Sequence, residues 1–270
     1  MGWFRPDAAA YRARIDQAFE RDDAERALKL AVKAVRAWPD DAELRIRLGD
    51  ALLDHGAVPE AAAAYRQTVE LEPEWAEAWV ALADAQVEQN ELQAAEGSAR
   101  RALELAPDDP AAHHVMAVVF ELTGRPNPAA RSYARAARLD PDGYFEPVRV
   151  SARTFDTALR RAIDELPADV REALADVRVE VRRFPGPGQG PDGVTNPLIL
   201  GLFEGQALPE RRSDDLYGTL GAVITLFQGN LERQCADVDE LVDEIRVTLL
   251  HEVGHYLGLD EEAVWRRGLR

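Results

Sequence analysis

The stretch RLGDALLDHGAVPEAAAAYRQTVELEP, residues 47–73, decides the first half of the chain. It is alanine-rich and helical in character, broken at Gly56 and closed by Pro73. Outward from it, Pro39, Pro73, Pro107 and Pro141 stand 34 residues apart, in the matching contexts RAWPDD, ELEPEW, ELAPDD and RLDPDG. A fixed period of this length marks a helical pair with its turns, repeated along the chain.

The positions inside each period agree as well. The second period carries Leu48, Gly49, Leu52, Gly56, Ala61, Tyr65 and Pro73; the third carries Trp79, Leu82, Ala83, Asn90, Ala95, Ala102 and Pro107. The fourth carries Met116, Ala117, Phe120, Gly124, Ala129, Tyr133, Ala136 and Pro141. Small residues let two helices approach, and large ones fill the gap to the next pair. This pattern resembles tetratricopeptide (TPR) repeats. The first repeat, near residues 8–41, is degenerate, with Arg14 where Leu is usual. An atypical terminal repeat is expected of a cap that faces water.

The resemblance implies an all-α solenoid over residues 8–143 with a partner groove on the first helix of each pair. The groove positions are then Glu43, Ile46, Asp50 and Leu53, then Glu77, Val80, Asp84 and Val87, then Ala111, His114, Val118 and Glu121. They are acidic and aliphatic, so the expected partner is a basic or apolar protein or peptide, met by Glu43, Asp50, Glu77 and Asp84. The alternative is that these are solvated helix residues on a scaffold.

Composition narrows the function classes. With 270 residues, 46% hydrophobic and 30% charged, the chain is globular and long enough for two domains. A net charge of −17 argues against nucleic-acid binding, which needs a basic footprint. No apolar run is long enough for a membrane span. The N-terminus has Asp7 and several arginines where a signal peptide needs an apolar core, and Cys235 is the single cysteine. A reducing, cytoplasmic setting is the expectation.

After Pro141 the 34-residue ruler stops. FDTALRRAIDELPADVREAL reads as helix interrupted by Pro167, and VRVEVRRF alternates as a strand does. PGPGQGPDGVTNP, residues 185–197, is a loop; no Gly-Lys-Ser/Thr follows its glycines, so it is no phosphate cradle. LILGLFEG and GAVITLFQGNL read as strands, DVDELVDEIRVTLLHEVGHYLG as a long helix, and DEEAVWRRGL as a last short one. The second half is therefore α+β, a small sheet with helices, over residues 150–270.

Within it stands IRVTLLHEVGHYLGLDEEAV, residues 245–264. Residues four apart share a helix face, so His251 and His255 aim imidazole nitrogens at one point. Zinc takes such ligands and keeps a position open for water when the site is catalytic. Glu252 adjoins the first ligand and is placed as general base for a water on the zinc. A third ligand is needed, and Gly258 permits a reversal that leads to Asp260, Glu261 and Glu262. Glu261 is the first choice and Asp260 the second, the latter being equally suited to cap a final helix.

The region 153–268 resembles the minimal, metzincin-like zinc metallopeptidases, which carry H-E-x-x-H-x-x-G-x-x-D. The resemblance rests on FDTALRRAIDELP, LILGLFEG, ITLFQGNL and LLHEVGHYLGLDEEAV, in that order. It implies His251, His255 and Glu261 as Zn2+ ligands and Glu252 as base, with Glu in place of Asp at the last position. The methionine turn of full metzincins is absent, since the methionines are Met1 and Met116. The expected function is zinc-dependent peptide hydrolysis with the repeats recruiting a protein partner or substrate. The alternative is a TPR adaptor whose zincin domain binds zinc without proteolysis.

Overall fold

The computed structural model describes residues 7–189, 196–208, 221–260 and 263. The chain divides into two units, Met1–Tyr144 and Phe145–Arg270.

The first unit is a solenoid of four helical hairpins. Its helices are α1 (Ala8–Phe19), α2 (Ala24–Ala37), α3 (Ala42–Asp54), α4 (Val58–Leu71), α5 (Ala76–Glu88), α6 (Leu92–Leu105), α7 (Pro110–Leu122) and α8 (Pro126–Leu139). Corresponding helices start 34 residues apart, as the proline ruler requires. The contact positions repeat on the same ruler. Ile15, Gly49, Ala83 and Ala117 are buried on the first helices; Ala27, Ala61, Ala95 and Ala129 are buried on the second. Small side chains here bring the helix axes together, and Tyr65 and Tyr133 fill the space beyond. Thr68, buried among these alanines, satisfies its hydroxyl by donating to the Ala64 carbonyl at 3.0 Å.

Asp7, Asp23, Asp41 and Asp109 cap α1, α2, α3 and α7, each side chain accepting from a backbone N–H in the first turn. Each hairpin turn passes through one left-handed residue, again 34 apart: Asp22 (φ 56°), Gly56 (φ 74°), Asn90 (φ 59°) and Gly124 (φ 74°). The degenerate first repeat keeps this geometry, and there Arg14 lies 5.5 Å from the centre of the Tyr11 ring.

The second unit opens with a segment that Val148 and Val150 tie down. Val148 N–H donates to the Cys235 carbonyl at 2.8 Å and Val150 N–H to Glu232 at 3.3 Å. Then come α9 (Ala152–Asp164), α10 (Ala168–Leu174), β1 (Arg178–Arg182), β2 (Gly201–Glu204), β3 (Val223–Phe227), α11 (Gln228–Arg233) and α12 (Val238–Tyr256). Pro167 separates α9 from α10, where its ring suits a helix start and blocks continuation. The strand is shorter than the expected segment GAVITLFQGNL: it ends with the apolar run at Phe227, and residues 228–233 turn helical. The fully buried Glu232 stabilises that turn, since Gln228 donates to it at 2.7 Å and Arg183 at 2.8 Å.

The sheet order is β1-β3-β2, with β3 parallel to β1 and antiparallel to β2. The central strand thus contains ITLF, paired on both sides, so β2 and not β3 has an outer edge. Ile224 and Leu226 of β3 join Phe155 and Ala158 of α9 and Leu241, Ile245 and Leu249 of α12 in one core. The expected final helix falls almost wholly outside the described residues, as do 190–195 of the Gly/Pro loop.

A Cβ at Gly56 would meet nothing within 4 Å, so Gly56→Ala costs only the left-handed conformation. That is about 1 kcal/mol. Urea unfolding followed by helix signal should show this loss for Gly56→Ala and for Asn90→Ala, with Asn90→Gly unharmed.

Candidate metal centre and its surroundings

α12 begins at Asp237, whose carboxylate accepts from the N–H groups of Asp239 and Glu240 at 2.8 and 3.0 Å. It ends on Gly258, at φ 80°. There Gly258 N–H bonds the His255 carbonyl at 2.9 Å and Leu259 N–H bonds the Gly254 carbonyl at 3.0 Å. This paired closure is a Schellman turn, which needs a residue at positive φ. It folds the chain back so that the Leu259 carbonyl stands 3.2 Å from His255 Nδ1.

A carbonyl only accepts, so His255 Nδ1 holds its proton and Nε2 presents a lone pair. His255 Nε2 lies 3.1 Å from His251 Nε2, with the two rings 4.7 Å apart and inclined by 80°. Two tetrahedral zinc ligands at about 2.0–2.1 Å from the ion stand about 3.3 Å from each other. The pair therefore has the spacing of two zinc ligands, and the Leu259 carbonyl sets the tautomer of His255 that presents Nε2. Both rings are partly buried.

Glu252 lies on the neighbouring face of α12, toward the sheet, and is only 7% exposed. It packs against Gly201 at the start of β2. Asp260 has its carboxylate on the Ala263 N–H at 2.8 Å, the capping role that the sequence allowed it. Glu261 lies outside the described residues. Among the described residues no cluster of three or more His, Cys, Asp or Glu side chains stands ready for a metal. Cys235 is buried, donates to the Leu231 carbonyl at 3.3 Å and is pushed up to about 12 by burial and nearby carboxylates. It is an inert thiol.

In the repeat unit the four acidic groove candidates have different surroundings. Glu43 is held by Arg12 at 2.5 Å and more loosely by Arg47 at 3.8 Å. It lines an open cleft of about 690 Å³ with Asp40, Asp41, Glu72, Glu74 and Trp75. Asp50 accepts from the Tyr65 hydroxyl at 2.8 Å. Glu77 is exposed on α5. Asp84, one helical turn before Glu88, keeps exposed surface, yet the surrounding protein and then the Glu88 charge push its carboxyl up to about 7. Burial raises Asp50 and Glu88 in the same sense.

Other groove positions are not open. Val80, Val87 and Val118 are buried, and Glu121 is buried with the Tyr133 hydroxyl donating to it at 3.1 Å. The family spacing places them on the first helices of their hairpins, but they are enclosed, Glu121 against Tyr133 of its own hairpin's second helix. His114 sits between the rings of Tyr133 and Tyr144, and His113 contacts the Pro107 carbonyl at 3.0 Å.

Comparison with known proteins agrees with this division. Residues 174–269 match the family of zincin-like metallopeptidases, and segments 12–74, 47–110 and 80–144 match the tetratricopeptide repeat family. The chain thus carries TPR repeats in its N-terminal half and a zincin-like metallopeptidase domain at 174–269. No curated protein matches it. Among solved structures, MamA is 25% identical, covering 50% of this chain and 73% of that one, with a TM-score of 0.46. A thermophilic TPR protein in Thermus thermophilus is 19% identical, covering 52% and 77%, with a TM-score of 0.46. YrrB, described as a TPR protein with an unusual peptide-binding site, is 21% identical, covering 50% and 70%, with a TM-score of 0.45. No helix among the described residues is long and apolar enough to cross a membrane.

Asp84 supplies a pH test. A carboxyl raised on folding binds more protons in the folded chain than in the unfolded one. Its unfavourable contribution is absent below about pH 4, grows as the pH rises toward 7 and is complete above it. Asp84→Asn should therefore raise the urea midpoint of the repeat unit at pH 8 and leave it unchanged at pH 4. An equal shift at both pH values would contradict this.

Proposed function

We propose that the C-terminal unit is a zinc-dependent peptidase and that the repeats hold its protein partner or substrate. The observation that carries the reading is the pair of Nε2 atoms facing each other at 3.1 Å, with His255 locked through Nδ1 by the Leu259 carbonyl. His251 and His255 would hold the ion, with Glu261 as the proposed third ligand because Asp260 is engaged as a cap. Bound zinc supplies Lewis acidity, making an adjoining water more acidic and polarising a substrate carbonyl.

The chain does the rest. Glu252 is buried on α12 against Gly201 of β2, where it would accept a proton from water and pass it to the departing amine. Among the described residues β2 pairs with β3 alone, and its other edge is our proposed seat for an extended peptide. The α12 face holding Glu252 lies against this strand, so a peptide added there runs past the carboxylate. In the repeats, Asp84 and its neighbours favour a partner segment with basic and apolar side chains.

A second reading has its own support. A TPR adaptor whose zincin unit binds metal without hydrolysis accords with Glu252 being buried against Gly201, away from water. The two readings separate in one assay. The zinc-loaded full-length protein should hydrolyse members of a peptide library, and Glu252→Gln should keep its zinc while losing at least about 100-fold in kcat. Equal turnover by both proteins would remove Glu252 as the base, and no turnover by either would favour the adaptor.

A further inference from the structure

At Gly201 the edge strand lies hard against the active-site helix. A Cβ built on it would stand 2.7 Å from Thr248 Cγ2, 3.0 Å from Glu252 Cγ and 3.0 Å from Glu252 Oε1. The 2.7 Å approach is shorter than real Cβ atoms show and the two at 3.0 Å are tight, and the obstructing groups are a buried threonine and a buried glutamate. Thr248, Glu252 and Tyr256 recur every four residues, so one face of α12 runs along β2, and Phe203 meets the Tyr256 ring with centroids 5.9 Å apart. Phe203 fills its space against the helix, while at Gly201 that space belongs to Glu252.

The backbone of Gly201 has a second property. Phe227 N–H donates to the Leu200 carbonyl at 2.8 Å, and the register pairs Gly201 with Leu226. In an antiparallel ladder bonded and non-bonded pairs alternate. Leu200 is bonded to β3, so the N–H and C=O of Gly201 point away from β3, to the strand's outer edge.

We infer that Gly201 is a positioning residue, whose missing side chain lets the Glu252 carboxylate stand against the outward-facing main chain of β2. The inference rests on the peptidase reading for its purpose, but its contact is testable without it. Any side chain at 201 pushes Glu252 out of register with a peptide lying on that edge, while His251 and His255 keep their places. Displacements of about 1 Å at a reacting centre cost on the order of 100-fold in rate.

The test uses the full-length protein as wild type, Gly201→Ala, Thr248→Ser and the double variant, because serine lacks the methyl nearest the new Cβ. Three readouts are taken: zinc per chain, kcat and KM on a peptide from the library, and the urea midpoint of the metal-free protein. Gly201→Ala should bind one zinc, lose about 10- to 100-fold in kcat with KM within a few-fold, and regain part of kcat in the double variant. Its urea midpoint should fall and be partly restored by Thr248→Ser. Unchanged kcat, or zinc lost together with kcat, would overturn the positioning role. If the wild type cleaves no peptide, the peptidase reading fails, and the midpoints decide the contact: no fall in Gly201→Ala, or no restoration by Thr248→Ser, overturns the inference as well.

Discussion

The hydrogen bond between His255 Nδ1 and the Leu259 carbonyl is the constraint on which the candidate site depends. An imidazole can offer one lone pair only if its other nitrogen keeps the proton, and a backbone carbonyl secures that without adding charge. The carbonyl reaches the ring because α12 ends on Gly258 at φ 80°. A side chain at that position would oppose the left-handed turn and move Leu259 away. A glycine just past the helix thus determines which nitrogen of a histidine inside it is available.

The repeats answer a different constraint with a similar device. Each hairpin must reverse in a few residues, and each does so through one left-handed residue on the 34-residue ruler. Gly56 and Gly124 take this conformation without strain, whereas Asp22 and Asn90 are the residue types that tolerate it best after glycine. Tight turns in turn let small residues meet, and the buried alanines at 27, 61, 95 and 129 give the array its close spacing. The cost falls on polar groups caught inside, so Thr68, Ser98 and Glu121 all find partners within the array.

Much of this was legible in the sequence. The prolines announced the repeats, and the His251–Glu252–His255 spacing announced two histidines facing each other on one helix. Elements whose signal is local and periodic can be read that way. The rest depended on contacts distant in the chain. That β3 is the central strand, and so unfit to bind an extended peptide, follows from its pairing with segments on either side. That the segment after Phe227 turns helical instead of continuing the strand is favoured by Glu232 gathering Arg183, Gln228 and the Val150 N–H. Family spacing alone made Glu121 a groove residue, and only the packing of Tyr133 shows it to be enclosed. Gly201 is one glycine among 18 until α12 is laid beside it.

The central claim is that His251 and His255 hold a zinc ion. Its most direct test is metal content by mass spectrometry, on full-length wild type and on the His251→Ala, His255→Ala double variant, after zinc is added and excess removed. The account predicts one zinc per chain in the wild type and none in the variant. Equal zinc in both, or none in the wild type, would contradict it.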